Sequence, residues 1–414
     1  MNNDAILLID SPADWEAKKI KYLFDERKEN NDPIKTNVLV SLTHDRGVIL
    51  HSDKGNIGNK EKDDLTKYKL VYPGDILTNS MNVIIGSSGL SEYYGLVSPV
   101  YYILAAKNET YDKKFFHYLF RSVVFQKSLV GLGNGILEHR MRIPMDKLGD
   151  QFIPFPKPVE QKLISRYLDK KTGQIDALIK KMRQKIELLK EKRVSLINQC
   201  ITKGLDSNPP MQDSGIKWVG KIPRHWDCKK LKFVSRQISD KRSPGAGEIK
   251  ISPENVESHT GKILNFYSDY ETEGQIFRHG DILFNKLRVY LNKVILCEFE
   301  GLSMGEMIVI RPHSISGPFL HRVLSSSGFI QYVNSLSEGV KLPRPPVHGI
   351  FNSVVPLPPD SEQQQISKYL SKNLEAIDWL VEKNSRRIQL ISEYRQSLVS
   401  SVVTGKIRVT EKMI

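Results

Sequence analysis

Cysteine is scarce in this chain: three residues in 414, Cys200, Cys228 and Cys297, with no C-x-x-C pair among them. That excludes a disulfide-stapled secreted scaffold and a cysteine zinc site, and it fits a reducing cytoplasm. A run of 18 apolar residues is missing as well, so no membrane-spanning helix is expected. The opening MNNDAILLID has only a short apolar stretch beside acids, unlike a secretory signal. Catalytic signatures are equally absent. There is no G-x-x-x-x-G-K-[ST] phosphate loop, no H-E-x-x-H and no G-x-S-x-G. Asn208-Pro209-Pro210-Met211 lacks the aromatic of an adenine-methyltransferase motif and any glycine-rich loop before it. Pro359-Asp360 opens like a nuclease set, but Glu362 is followed by Gln363 and Gln364 rather than by lysine. The histidines have no ligand spacing. The chain is expected to catalyse nothing and to hold no metal.

What is present is length, positive charge and repetition. A chain of 414 residues is too long for one ordinary core and implies two to four domains. A net charge of +14 hints at a polyanionic partner, a bias that basic ribosomal-type and membrane-surface proteins share.

Set against residues 355–404, residues 153–202 are identical at 20 of 50 positions. IPFPKPVEQKLISRYL stands over VPLPPDSEQQQISKYL, so Glu160, Gln161, Ile164 and Ser165 match Glu362, Gln363, Ile366 and Ser367. PADWEAKKIKYL (12–23) repeats as PRHWDCKKLKFV (223–234), YPGDILTN (72–79) as RHGDILFN (278–285), and FFHYLFRSVVF (115–125) more loosely as FLHRVLSSSGF (319–329). The chain is one unit copied in tandem. Trp226 holds the place of Trp15, and both are expected to be buried anchors at the start of their copies.

The repeated segments at 153–202 and 355–404 carry a heptad seam. Ile175, Ile179, Met182, Ile186, Leu189, Arg193, Leu196 and Cys200 alternate at spacings of four and three, as do Ile377, Val381, Asn384, Ile388, Ile391, Arg395, Leu398 and Val402. Such a seam predicts helices of ~40 residues, each ~60 Å long. Because a lone amphipathic helix is unstable in water, the partner of each is either the other helix or its own globular domain. Asn384 and the two arginines would set register or face a partner. Between the helices, NVLVSLTHDRGVILHS (37–52), KLVYPGDIL, YGLVSPVYYIL, KVILCEF and MIVIRP read as strands, and 112–130 and PFLHRVLSSSGFIQYVNSL as helices.

The expected fold is therefore α/β: two similar mixed α/β domains separated by two long helices forming an antiparallel coiled coil. The boundaries fall at 1–152, 153–205 (the helical spacer), 206–355, 356–405 and a tail at 406–414. The positive charge lies mostly on the first helix: residues 160–205 carry 12 basic and 5 acidic side chains, a net of +7, whereas residues 1–150 carry 20 of each. A basic rod suits a DNA backbone or an acidic partner subunit.

DSGIKWVGKIPRHW (213–226), with the Pro-x-Pro, Glu-Gln helix starts and the two G-D-I-L motifs, resembles type I restriction–modification specificity subunits over essentially the whole chain. The first copy keeps Pro12 and Trp15 but lacks the S-G-I-x-W lead-in. The resemblance implies two target-recognition domains, each reading half of a split double-stranded DNA sequence, on a non-catalytic cytoplasmic scaffold. It further implies docking of two modification (methyltransferase) subunits and of restriction (translocase/nuclease) subunits. No cofactor is expected on this chain; S-adenosylmethionine, ATP and magnesium belong to those partners. An RNA-binding protein or an adaptor with two tandem modules is the alternative.

Asn and Arg suit bidentate base contacts and Lys suits phosphate. The favoured candidates follow each G-D-I-L: Asn79, Ser80 and Asn82 in the first copy, Asn285, Lys286 and Arg288 in the second. A second set precedes the long helices: Asn134, His139, Arg140 and Arg142, then Lys341 and Arg344.

Overall fold

The computed structural model describes residues 7–43, 46–54, 64–81, 83–133, 142–339 and 341–414. The chain forms two compact units: Met1–Met182 with Arg386–Ile414, and Arg183–Ser385.

In the first unit, strands Phe24–Glu26, Tyr101–Ala106, Ile76–Asn79 and Ser88–Leu90 form an antiparallel sheet in that order. The repeated G-D-I-L thus supplies a central strand, with Ile76, Leu77 and Thr78 all buried. The pairs Val40–Thr43 with Gly47–Leu50 and Lys69–Val71 with Gly95–Val97 flank it. A separate ribbon pairs Glu16–Lys19 with Phe152–Phe155, joining the start of the copy to the segment that feeds its long helix.

The stretch 112–130, expected as one helix, is two. Helix Lys113–Arg121 is capped by Asp112, whose carboxylate accepts the Phe115 N–H (2.9 Å), and it ends where Ser122 caps Val123–Ser128 by accepting from Phe125 (3.3 Å). A hydroxyl that serves the next helix start offers the backbone an alternative to continuing the first. The same break divides the corresponding stretch of the second unit into Gly317–Leu324 and Ser327–Ser335, with Ser326 as the cap.

The second unit repeats the plan: strands Ser235–Ile238, Met307–Pro312, Ile282–Asn285 and Val294–Leu296 lie in the same order, and Asp227–Lys230 pairs with Val354–Leu357. Its counterpart of the Lys69–Val71 and Gly95–Val97 pair, Gly274–Phe277 with Gly301–Ser303, is extended by Lys241–Arg242 and Lys250–Ile251 into a second four-stranded sheet.

The long helices run over Pro158–Lys203 and Asp360–Val403. The repeated glutamines fix their starts. Buried Gln161 accepts the Asp112 N–H (3.0 Å) and donates to the Pro156 carbonyl (2.8 Å), while buried Gln363 accepts from Ser316 (2.7 Å) and donates to Pro358 (2.8 Å). Each glutamine therefore bolts a long helix to the start of a helix of its own domain, Lys113–Arg121 or Gly317–Leu324. The helices stop at Gly204 and Gly405, both left-handed (φ +74° and +81°), the conformation glycine adopts without cost. The rings of Trp226 and Trp15 pack on these two glycines. That is why a tryptophan opens each copy: it seats the start of a domain on the end of a long helix.

Helix pairing is antiparallel in both units. Asp176 takes two bonds from Arg395 (2.9 and 3.1 Å) in the first, and Arg193 bonds Asp378 (3.0 Å) in the second. The two pairs are the same pair displaced by the repeat of 202 residues. Every seam residue from Ile175 to Cys200 and from Ile377 to Val402 is buried or half-buried. Asn384 turns its amide back on the Leu380 carbonyl (2.6 Å).

The helices also pack on the domains. In the first unit Trp15, Phe115, Phe116 and Ile153 share one core with Ile164, Leu168, Leu398 and Val402. In the second, Trp226, Phe319 and Phe329 share one with Ile197, Ile201, Ile366 and Leu370. Both partners considered for the helices are thus real, and seam residues such as Leu398 and Val402 also join a domain core.

Candidate nucleic-acid interface

The G-D-I-L aspartates are the structural centre of the turns that carry the candidate residues. Asp75 is buried, receives two hydrogen bonds from Arg27 (2.9 and 3.1 Å) and accepts the Tyr72 N–H (2.9 Å). Asp281 is buried, receives two from Arg311 (2.7 Å each) and accepts the Arg278 N–H (2.8 Å). The arginines come from different strands, Arg27 just after Phe24–Glu26 and Arg311 within Met307–Pro312. The same ion pair is therefore built twice from different sequence positions, which no alignment of the two copies discloses. A bidentate pair of this kind fixes the turn before the central strand.

The residues after each G-D-I-L divide into two kinds. Ser80 is buried, donating to the Val100 carbonyl (3.0 Å). Asn285 is buried, its amide donating to the Leu287 carbonyl (2.7 Å) and accepting the Leu287 N–H (3.1 Å). As placed, these two side chains shape turns. Asn79, half-buried, likewise accepts the Met81 N–H (3.0 Å). Lys286 and Arg288 lie at the surface, half-buried and exposed. Arg288 is left-handed (φ 53°), and its N–H reaches the Pro343 carbonyl (3.2 Å). Arg344 and Lys341 are exposed beside that carbonyl.

The two candidate sets, some 55 residues apart in sequence, thus converge in the second unit. They converge in the first as well, where the Ile143 N–H bonds the Ser80 carbonyl (3.0 Å) next to exposed Arg142. Asn82, Asn134, His139 and Arg140 lie outside the described residues.

Sequence reasoning missed Glu306, which bridges Lys286 (2.8 Å) and Arg344 (3.1 Å). It also missed Lys69, whose Nζ donates to the Tyr101 carbonyl (2.9 Å), and whose pKa burial lowers. Among the described residues, no cluster of three or more His, Cys, Asp or Glu side chains is placed to hold a metal. No described helix is long and apolar enough to cross a membrane.

No family model matches the chain. It is 23% identical to the type I restriction enzyme EcoDI specificity subunit of Escherichia coli, over 78% of this chain and 76% of that one. It is also 23% identical to a putative type I restriction enzyme specificity subunit, MjaX, of Methanocaldococcus jannaschii, over 96% and 95%. The chain is a homologue of type I restriction enzyme specificity subunits. Among solved structures, a chain described under complex assembly and conformational transition of the type I R-M system superposes with a TM-score of 0.66 at 15% identity, covering 96% of this chain and 99% of that one. The HsdS subunit of Thermoanaerobacter tengcongensis gives 0.53 at 14% identity, over 96% and 98%. These likenesses show a shared fold, mixed α/β with two long helices.

Proposed function

We propose that the chain is the DNA-reading subunit of a type I restriction–modification complex, with each unit reading one half of a bipartite duplex target in the cytoplasm. The observation that carries this reading is duplication with divergence. The two units share strand order, the buried Asp–Arg turn and the glutamine bolt, yet they differ in the side chains exposed beside that turn. One scaffold carrying two surfaces is what two different half-sites require. The basic first helix adds non-specific attraction for the backbone.

The subunit supplies recognition and leaves chemistry to its partners: methyltransferase subunits with S-adenosylmethionine, and translocating nuclease subunits with ATP and magnesium. Exposed apolar groups on the long helices, on each unit separately, suit docking of the former. Leu390 is 54% exposed on the first unit and Leu188, its repeat equivalent, is 63% exposed on the second. Tyr394 and Trp379 add exposed aromatic area to the helix Asp360–Val403. Apolar groups repeated at one helix position suit repeated copies of one partner.

The test is to co-express the chain with its modification subunits, map the methylated genomic sequence, and measure binding to that duplex and to structured RNA at matched salt. A split sequence, bound in preference to RNA, is the expected result. Equal or tighter RNA binding, with no methylated motif, makes the chain an RNA-binding or adaptor protein instead.

A further inference from the structure

Two cations of the candidate surface in the second unit, Lys286 and Arg344, share one carboxylate. Glu306 follows left-handed Gly305 (φ +66°) in the turn leading into Met307–Pro312. One of its oxygens lies 2.8 Å from Lys286 Nζ, the other 3.1 Å from Arg344 Nη2, and its own carbonyl accepts the Lys286 N–H (3.0 Å). Arg344 is fixed from behind as well: its backbone exchanges hydrogen bonds with Glu338 (3.1 and 3.0 Å), and the adjoining Pro343 carbonyl takes the Arg288 N–H. The backbone of Arg344 is thus held by Glu338 and, through Pro343, by Arg288, while Glu306 holds one end of a guanidinium whose side chain is still 44% exposed.

A carboxylate is costly next to DNA phosphates, so affinity alone gives no reason to set one here. Its use is directional. It pairs with one end of the guanidinium, at Nη2, which restricts the rotamers of a side chain that stays 44% exposed. Lys286 shares the carboxylate and offsets its charge, while exposed Arg288 and Lys341 remain available to the backbone.

We propose that Arg344 is a base-reading side chain of the second unit, that the base it reads is a guanine, and that Glu306, paired with one end of its guanidinium, is its positioning residue. Guanine is the base whose major-groove edge offers two acceptors, O6 and N7, to such a fork. The first unit supplies the contrast. Arg142 stands one repeat before Arg344. The register that pairs Asn285 with Met307 pairs Asn79 with Tyr101, so Val100 and Ser80 occupy the places of Glu306 and Lys286. The same arginine thus sits on two different supports, a direct way for one scaffold to read two different positions.

This inference rests on the DNA-reading function proposed above, and the experiment separates the two. The wild-type complex with its modification subunits is mapped first; if it methylates no split sequence, the functional reading fails and the inference with it. Given a mapped target, duplexes with each base at every position are bound and methylated by wild type and by E306Q, R344K and R344A. Both E306Q and R344K should lower the preference for guanine at one position of one half-site by about tenfold or more, with the other half-site and the melting temperature unchanged. R344A should abolish that preference. Unchanged maps overturn the proposal. A uniform weakening over all sequences with a shallower salt dependence also does so, since it makes Arg344 a phosphate contact. A lowered melting temperature for E306Q makes Glu306 a packing residue and overturns it too.

Discussion

Replacing Trp226 by phenylalanine should cost more stability than replacing Trp15, although the two rings hold equivalent places. Both substitutions keep an aromatic ring on the helix-ending glycine and remove similar apolar area, so that loss cancels to first order. What differs is the indole N–H. Trp226 Nε1 donates to Glu362 (2.9 Å), whereas buried Trp15 Nε1 has no acceptor among the described residues. Glu160, which repeats as Glu362, faces Arg408 instead (3.3 Å).

A hydrogen bond to a charged group contributes ~1.5–3 kcal/mol, and Glu362, with 32% of its side chain exposed, argues for the lower end. Removing an unsatisfied buried donor at Trp15 returns ~1 kcal/mol. The two variants should therefore differ by about 2–3 kcal/mol. For bodies of this size that is roughly 4–12 °C in melting temperature. Scanning calorimetry measures the difference, and hydrogen exchange of Ile282–Asn285 and Ile76–Asn79 reports which unit loosened. Adding E362Q to Trp226→Phe then disturbs only the contact of Glu362 with His225 (2.5 Å), so it should cost less than E362Q alone. Equal shifts, or a larger shift for Trp15→Phe, refute the reasoning.

Three further outcomes are expected. Q161A and Q363A each orphan one part-buried backbone N–H and one buried carbonyl, costing ~2–4 kcal/mol, with exchange protection lost first in the unit that carries the change. Burial, reinforced by Arg121, pushes the pKa of His117 down to about 4, while burial reinforced by Arg322 pushes His321 down to about 3. Asp169 opposes the shift at His117, and the Val294 carbonyl opposes it at His321. The unfolded chain takes up these protons near pH 6.5, so stability is full above that value and falls below it by up to ~1.4 kcal/mol per pH unit for each histidine. Urea melts from pH 7.5 to 4.5 should show this slope, and it should flatten in H117Q. Finally, exchanging residues 206–355 for those of another specificity subunit should alter one half of the methylated sequence; a change in both halves contradicts separate readers.

Much of this architecture was legible because it is repeated. Twenty identities in 50 positions announce two copies, and the heptad seam announces paired helices. The sequence could not say where each helix belongs. Ile164 and Leu168 bury against the first domain and Ile197 and Ile201 against the second, so the compact units divide both long helices. A heptad register identifies a helix partner but not the core that each turn joins. The division of 112–130 at Ser122 was hidden for a related reason, since the apolar face continues through a residue whose hydroxyl caps the next helix. The ion pairs Arg27–Asp75 and Arg311–Asp281 were hidden because only the aspartates repeat.

That last asymmetry bears on how base-reading residues are to be sought in a duplicated reader. Both copies must fold alike, and on the proposed function they must read differently. Internal repetition therefore selects the positions folding requires: Trp15 and Trp226 on the helix ends, Gln161 and Gln363 at the bolts, Asp75 and Asp281 beneath the turns. Residues chosen for adjoining a repeated motif inherit the same duty, and Ser80 and Asn285 are indeed buried with their polar atoms on the backbone. Discrimination belongs where the scaffold is kept and the side chain changes, as when Val100 and Ser80 give way to Glu306 and Lys286 beside an arginine held in common. The informative comparison within this chain is between its two copies, read for their differences at surface positions that the repeat has already aligned.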